Sequence, residues 1–276
     1  MSILTNKGKR LTFGGASISY VPFNFVPEFQ AVYDRWDVMG TVPNYDDALV
    51  WDTMVRSMVN SGEWANLDRW FYFAVHTNDN GEALIDWVDP SRTSVAINNP
   101  TFTAYEGFSG DASTSYISLE YTTFVDSINY QIQDASACIY VRPKGTYTGY
   151  QYLLGGLPIN RGTSLSFFNP TRILWGVNAL FRSYIDLSLS YEGFWTLESS
   201  NIDTQMHKNS VLLDSYGVTT SSTSSVIINA LSNHNGTLFS DKQISMVSIG
   251  ANVLNRNNIQ NYIETSMTTF GKGVIN

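Results

Sequence analysis

Cysteine is almost absent from this 276-residue chain. The single Cys138 excludes an internal disulfide, and its place between Ala137 and Ile139 in an apolar run makes it a buried, inert thiol rather than a nucleophile. Basic residues are scarce as well. With 16 Lys and Arg against 24 Asp and Glu the formal net charge is −8, which opposes the counterion release that drives nucleic-acid binding, so nucleic acid is not an expected partner. Histidine occurs three times, as His76, His207 and His234, with no second ligand at helical or strand spacing. Neither a zinc site nor a nucleophile triad has a constellation to stand on. Long hydrophobic runs are missing too. The stretch Trp70 to Val75 is far short of the roughly 18 residues that span a bilayer, and no apolar run of leader length follows Met1, so neither a membrane partner nor a Sec-type leader is expected.

What is present is apolar and neutral-polar. Hydrophobic residues make up 43% of the chain and aromatics 14%, enough to fill a β-sandwich, or one with a small helical subdomain. Charged residues are only 14%, and Ser, Thr and Asn supply the polarity. Such a surface suits sheets, sugars and neighbouring subunits.

The order of elements is readable. Residues 1–23, with Gly14-Gly15 inside, read as an extended docking arm carrying short strands at Leu11 to Phe13 and Ser17 to Tyr20. Residues 24–69 read as a helical preamble. After Pro27, Phe29, Val32, Tyr33 and Trp36 recur at helical spacing until Gly40; after Asn44, Ala48, Trp51, Val55, Met58 and Val59 share one face until Gly62. Asp46 and Asp47 fall in the first turn of that second helix, where carboxylates complement free N–H groups, so they read as caps rather than an acid/base pair.

From residue 70 to 276 short β-prone runs alternate with turn signals. Expected strands are Phe71 to Val75, Thr101 to Tyr105, Ser115 to Tyr121, Ser136 to Val141, Tyr150 to Gly155 and Ser164 to Phe168. Further ones are Ile173 to Gly176, Tyr184 to Tyr191, Trp195 to Ser199, Ser210 to Asp214, Ser225 to Leu231 and Gln243 to Ile249. A helix from the cap Asn255 to Phe270, stopped by Gly271, closes the chain. The strongest hairpin signal is Asp186 to Ser200: with Glu192-Gly193-Phe194 as its loop, Tyr191 opposes Trp195 and Leu189 opposes Leu197, both apolar sets facing a core.

Catalytic chemistry finds no clear seat. In that hairpin Asp186 and Glu192 would be about 20 Å apart. Glu198 would lie about 7–8 Å diagonally from Asp186, a separation inverting glycosidases tolerate, but on a face expected to be solvent-exposed. No catalytic or metal-binding residue is therefore assigned, and no cofactor, since Gly14-Gly15 and Gly155-Gly156 lack the Lys and Ser/Thr of a phosphate loop. Tyr147, Tyr150 and Tyr152 with Trp175 and Trp195 could form a sugar-stacking surface or pack the sandwich, and no definite carbohydrate-binding residue is chosen. Asn235-Gly236-Thr237 matches a glycosylation sequon and reads as a turn.

The block from Phe102 to Ile117, through Tyr105-Glu106-Gly107-Phe108-Ser109-Gly110-Asp111, resembles the opening of laminin-G-like, concanavalin A-like jelly-roll proteins of tailed bacteriophage virions. Asn235-Gly236, the strand Gln243 to Gly250 and the helix through Tyr262-Ile263 agree with it, as does the helical stretch Ala48 to Trp64. The resemblance implies a mostly β jelly-roll sandwich with a helical preamble and a C-terminal helix. It implies a virion component, a head or tail fibre or capsid decoration, homo-oligomeric and in contact with other virion proteins. The alternatives are a carbohydrate-binding receptor module for a host-surface glycan and, third, a polysaccharide depolymerase. The Glu-x-Asp-x-Glu motif of glucanases with this fold is absent, so no enzyme activity is carried over.

Overall fold

The computed structural model describes residues 24–145, 149–156, 161–169, 172–180, 182–185, 190–217 and 223–275, with two-residue strands β1 (Thr12–Phe13) and β2 (Ala16–Ser17) paired antiparallel. Local chemistry sets the helix ends. Helix α1 (Pro27–Met39) starts on a proline, whose missing N–H costs nothing in a first turn, and stops at Gly40 with φ of 78°. Asn44 caps α2 (Tyr45–Asn60) by accepting the Asp47 N–H at 3.0 Å, with Asp46 and Asp47 in the first turn. Asn255 does the same for α3 (Arg256–Thr269), accepting the Asn258 N–H at 3.2 Å.

Fifteen further strands follow among the described residues: β3 (Leu67–Tyr72), β4 (Val95–Ile97), β5 (Thr101–Thr103), β6 (Gly107–Ser109), β7 (Tyr116–Thr122), β8 (Ala135–Arg142), β9 (Gln151–Gly156), β10 (Arg161–Asn169), β11 (Arg172–Leu180), β12 (Arg182–Ile185), β13 (Gly193–Ser199), β14 (Asp203–Lys208), β15 (Val211–Gly217), β16 (Ile227–Ala230) and β17 (Gln243–Gly250). They form two antiparallel sheets. One runs β12-β11-β10-β9-β16-β7-β4; the other runs β15-β14-β13-β8-β17-β6-β5, and β3 shares an edge of β17 with β6.

The layers follow from register. Val247 pairs with Ile139 and Phe71, and Ile139 with Trp195; this face meets the other sheet, where the Trp195 ring lies 5.6 Å from Phe167. Met246 pairs with Tyr140 and Tyr72, whose hydroxyls reach Glu264 and Ser266 of α3. The eight-stranded sheet is therefore covered on both faces, by the second sheet and by helix, and β3, β8, β13 and β17 are buried along their full lengths. Trp36, Trp51 and Trp87 pack edge to face between α1, α2 and the segment after β3, and Trp51 also meets Phe270, so the helices and the sandwich share one hydrophobic core.

Several expectations are corrected. The hairpin from Asp186 to Ser200 does not form: β13 is flanked on one edge by β8 and on the other by β14, so Trp195 pairs with Ile139 and Lys208, and Leu197 with Ala137 and Met206. The true hairpin partner is β14, Asp203-Thr-Gln-Met-His-Lys, whose polar sequence conceals a strand held between two neighbours. Residues 186–189 lie outside the described residues. Strand β3 begins at Leu67, ahead of the expected Phe71, because Asp68 and Arg69 are buried as paired groups. Arg69 faces Asp86 at 3.4 Å, and Asp68 accepts the N–H groups of Ile128, Asn129 and Tyr130.

Candidate functional site

The residues singled out from sequence part company in the structure. Trp175 and Trp195 are fully buried between the sheets, Trp175 donating its indole N–H to Asp214 at 3.3 Å, so neither offers a face to a sugar. Tyr150 and Tyr152 do come together, with hydroxyls 2.9 Å apart, and Tyr147 lies outside the described residues. Asp47 accepts from the Tyr105 hydroxyl at 2.6 Å and serves its helix end. His76 sits among the tryptophans with Nε2 2.6 Å from the Thr41 carbonyl oxygen, and burial holds its pKa below the usual value. Asn233 to Gly236 is a turn, as the Asn-Gly sequence predicts. Cys138 is buried, and desolvation pushes its thiol up to about 12.

Glu198 is not exposed. It points to the helix-covered face, where it pairs with Arg256 and accepts the Val253 N–H at 3.1 Å. Glu63 nearby accepts the N–H groups of Leu254 and Asn255 at 3.0 and 2.5 Å. Burial lifts both carboxyls above the ordinary glutamate range, the Arg256 charge opposing it at Glu198. His207 lies with Nδ1 3.8 Å from Glu198, and burial, with the Arg256 charge, pushes it down to about 4. These groups clamp the entry to α3, and Asp186, the carboxylate weighed against Glu198 in the sequence, lies outside the described residues. Among the described residues no cluster of His, Cys, Asp and Glu could hold a metal ion.

A different constellation emerges at the opposite end of the sheets. The end of β8 and the starts of β13 and β17 lie together there, as do the start of β9, the end of β10 and the start of β11, by the pairings Gly193 with Val141, Gln243 with Arg142, Phe167 with Gln151 and Asn169 with Arg172; the Ser240 hydroxyl, donating to Gln151, and the Phe167–Tyr191 ring contact join the two sheets at this end. Their tips carry aromatics and cations. Phe168, 44% exposed, has its ring 5.1 Å from Tyr150 and 5.2 Å from the Arg172 guanidinium. A cleft of about 580 Å³ is lined by Arg142, Pro143, Lys144, Gly145, Tyr191, Glu192 and Lys242. Lys242 is buried, its ammonium 4.9 Å over the Tyr191 ring, 3.2 Å from Asp241 and donating to the Gly145 carbonyl at 3.2 Å. Gly145 has φ of 79°, and a Cβ there would collide with the Asp241 carboxyl, so this approach of loop to cleft requires glycine. Burial, with the Asp241 charge, raises the Tyr191 phenol.

Sequence reasoning weighed Tyr150 and Tyr152 as stacking residues without choosing them, set Glu192 aside as too far from Asp186, and missed Phe168, Arg172 and the three cations. A signal existed. Arg142-Pro143-Lys144-Gly145 is a turn carrying two cations in a chain poor in them.

No protein-family model matches the sequence, and no curated protein gives a significant match. Solved structures do resemble the fold. The binding domain of botulinum neurotoxin serotype D superposes with a TM-score of 0.51 at 14% identity over 72% of this chain and 52% of that one. A Trypanosoma rangeli sialidase in complex with sialic acid gives 0.53 at 13% identity over 82% and 40%. A structure of botulinum neurotoxin type C, whose cell entry depends on two ganglioside molecules, gives 0.50 at 13% over 72% and 51%. The chain thus spans about half of the toxin chains and 40% of the sialidase chain. At such identities the likeness is one of fold: this is a mostly β, two-sheet sandwich of jelly-roll type with a C-terminal helix.

Proposed function

We propose that the chain is a non-catalytic carbohydrate-binding module that attaches to surface glycans through the aromatic and cationic end of its sandwich. The observation that carries this reading is the rim of half-buried Tyr150 and exposed Phe168, with buried Tyr152 packed behind Tyr150 and Arg172 over the Phe168 ring: flat apolar faces beside fixed polar groups suit a sugar ring. The ganglioside and sialic acid named for structures of similar fold make saccharides the natural first ligands to try. A glycan array probed with the full chain is expected to give specific hits, and Phe168→Ala and Tyr150→Ala each to weaken them at least tenfold. An array without hits would end the reading. Release of reducing ends from a bound polysaccharide would overturn its non-catalytic part.

A second reading, compatible with the first, is the structural virion role that the phage jelly-roll resemblance implies. The opposite end of the sandwich favours it. There the β7–β8 connection and the β13–β14 turn present Phe124, Val125, Ile128 and Ile202, all at least 66% exposed, an apolar set of the kind that marks a protein contact. Particles assembled with an Ile128→Asp, Ile202→Asp variant are expected to lose the protein. Undiminished incorporation would count against docking through this end.

A further inference from the structure

Helices α2 and α3 run antiparallel over the outer face of the eight-stranded sheet: Glu63, just past α2, accepts the N–H groups of Leu254 and Asn255 ahead of α3, and Phe270 at the far end of α3 meets Trp51. Between them lies a groove of about 330 Å³, with buried Met54 and Ser266 at its floor and Asp46, Leu49, Thr53 and Tyr262 among its walls. Its hydroxyls are largely spent. Thr53 donates to the Leu49 carbonyl, Ser57 to that of Thr53 and Thr269 to that of Thr265, each at 2.8 Å, and the Ser266 hydroxyl lies 3.1 Å from that of Tyr72. The groove therefore presents methyl and methylene groups, with Leu49 43% exposed, and an occupant gains by burying apolar surface rather than by hydrogen bonding.

The path of the chain brings a candidate to one end of it. Val26 donates its N–H to Asp52 at 2.7 Å and the Asn24 carbonyl accepts from Arg56 at 2.9 Å, so the root of the arm is tied to α2. Arg56 adjoins Thr53 and Ser57 on that helix, which sets Asn24 at the Ser57 end of the groove, about one side chain from its wall. From Ser57 to Asp46 the helix is about 16 Å long, a distance that about five extended residues cover. Counting back from Asn24, the chain supplies Phe23, Pro22, Val21, Tyr20, Ser19 and Ile18, nearly all apolar. Charge agrees with this. Residues 1–23 hold Lys7, Lys9 and Arg10 and no acid, whereas α1 and α2 carry six acids, Glu28, Asp34, Asp37, Asp46, Asp47 and Asp52, against two bases, Arg35 and Arg56; α3 adds one of each, Glu264 and Arg256.

We propose that the α2–α3 groove is the seat of the chain's own arm, with residues 18–23 lying in it and Lys7, Lys9 and Arg10 drawn to the acidic helices beside it. Side chains two apart on an extended segment point the same way, so Ile18 and Tyr20 are assigned together to the floor. The arm of the same chain is favoured over that of a second copy because a segment tethered at Asn24 meets the groove at an effective concentration of the order of millimolar, far above that of a dilute partner. The seat is independent of the glycan-binding reading. It covers the exposed apolar ridge of α2 around Leu49 with a segment that is itself apolar.

The test is disulfide trapping in the full chain. Ser19→Cys is combined in turn with Thr53→Cys and Thr265→Cys on the two walls of the groove, and with Ile227→Cys on β16 of the seven-stranded sheet as the distant control; Thr53 and Thr265 are exposed, and buried Cys138 does not compete. Under mild oxidation the two groove pairs are expected to close within one chain at least tenfold faster than the control pair, and Tyr20→Asp to slow them about tenfold. A second measurement needs no bond to form. Labelling of Thr53→Cys alone by a thiol reagent is expected to quicken about tenfold when Ile18→Asp and Tyr20→Asp are added. Equal closure rates for all three pairs, or labelling that ignores the arm substitutions, would show that the arm has no seat in the groove. Disulfides that join two chains at these positions would overturn the proposal in favour of an arm exchanged between copies.

Discussion

Arg256, the first residue of α3, is ion-paired with Glu198 near the end of β13, on the helix-covered face of the eight-stranded sheet. Glu198 is 5% exposed at its side chain and Arg256 33%, so removing the arginine strands a buried carboxylate. Arg256→Ala is expected to lower unfolding free energy by about 3 kcal/mol, within the usual range for breaking a buried pair. Glu198→Leu with Arg256→Met should cost clearly less than Arg256→Ala alone, since neither charge is then left unpaired. Urea unfolding of the three variants decides it; a loss under about 0.5 kcal/mol for Arg256→Ala, the level of an ordinary surface change, would mean that the pair does not anchor the helix.

The same cluster sets two opposed pH dependences. His207 titrates near 4 in the folded chain against an ordinary 6.5, so between these values the unfolded chain binds the extra proton and stability falls as the pH drops. Glu63 and Glu198 have raised folded values, so the folded chain takes up protons first and stability falls as pH rises from about 4.5 through them. His207→Asn is expected to reduce the loss of stability between pH 7 and pH 5, a loss on the order of 2 kcal/mol from this group. Glu198→Gln is expected to steepen it, because the compensating proton uptake is gone. Chemical denaturation at the two pH values gives both slopes, and identical slopes in wild type and His207→Asn would contradict the assignment.

Much of this architecture is legible in the sequence where local chemistry is strong. Asn44, Asn255 and Gly40 mark their helix ends because caps act through their own backbone neighbours, and the spacing of Phe29, Val32, Tyr33 and Trp36 gives the buried face of α1. Glu198 and β14 were not legible, for one reason. A strand covered on both faces loses the alternation that period-2 reading depends on, and a polar residue such as His207 or Glu198 then signals a buried partner rather than solvent. The true hairpin turn, Ser200 to Ile202, carries neither glycine nor proline, whereas Glu192-Gly193 looks like a turn yet opens a central strand: Gly193 has φ of 128°, and Asn209 occupies the place of a Cβ. The cleft cations were invisible as a group because Arg142 and Lys242 are about a hundred residues apart and meet only through the β8–β17 pairing.

Cys138 offers a probe of global opening. Its thiol is buried on β8 and pushed up to about 12 by desolvation, so almost no thiolate exists at neutral pH and a thiol reagent has no path to it. Labelling by an aromatic disulfide reagent is expected to be undetectable over hours in the native protein and stoichiometric in denaturant. Its rate at intermediate urea should follow the opening equilibrium measured by circular dichroism. Rapid labelling without denaturant would mean that β8 is open to solvent.

Trp51 joins the helices to everything else. Its ring lies 5.5 Å from Trp36 of α1, 6.4 Å from Trp87 in the segment after β3 and 5.4 Å from Phe270 at the end of α3, and it is fully buried. Contacts of this kind, spanning residues 36 to 270, make independent folding of the helical preamble unfavourable: α1 and α2 alone would expose their aromatic faces, and the eight-stranded sheet would lose part of its cover. Trp51→Ala is therefore expected to cost about 3–5 kcal/mol through the cavity it leaves and to destabilise sheet and helices together. Guanidinium unfolding followed by tryptophan fluorescence and by far-ultraviolet circular dichroism should give coincident curves in wild type and in the variant. Separated transitions, with helical signal lost first, would show that the helical layer is a unit of its own laid on a sandwich that does not need it.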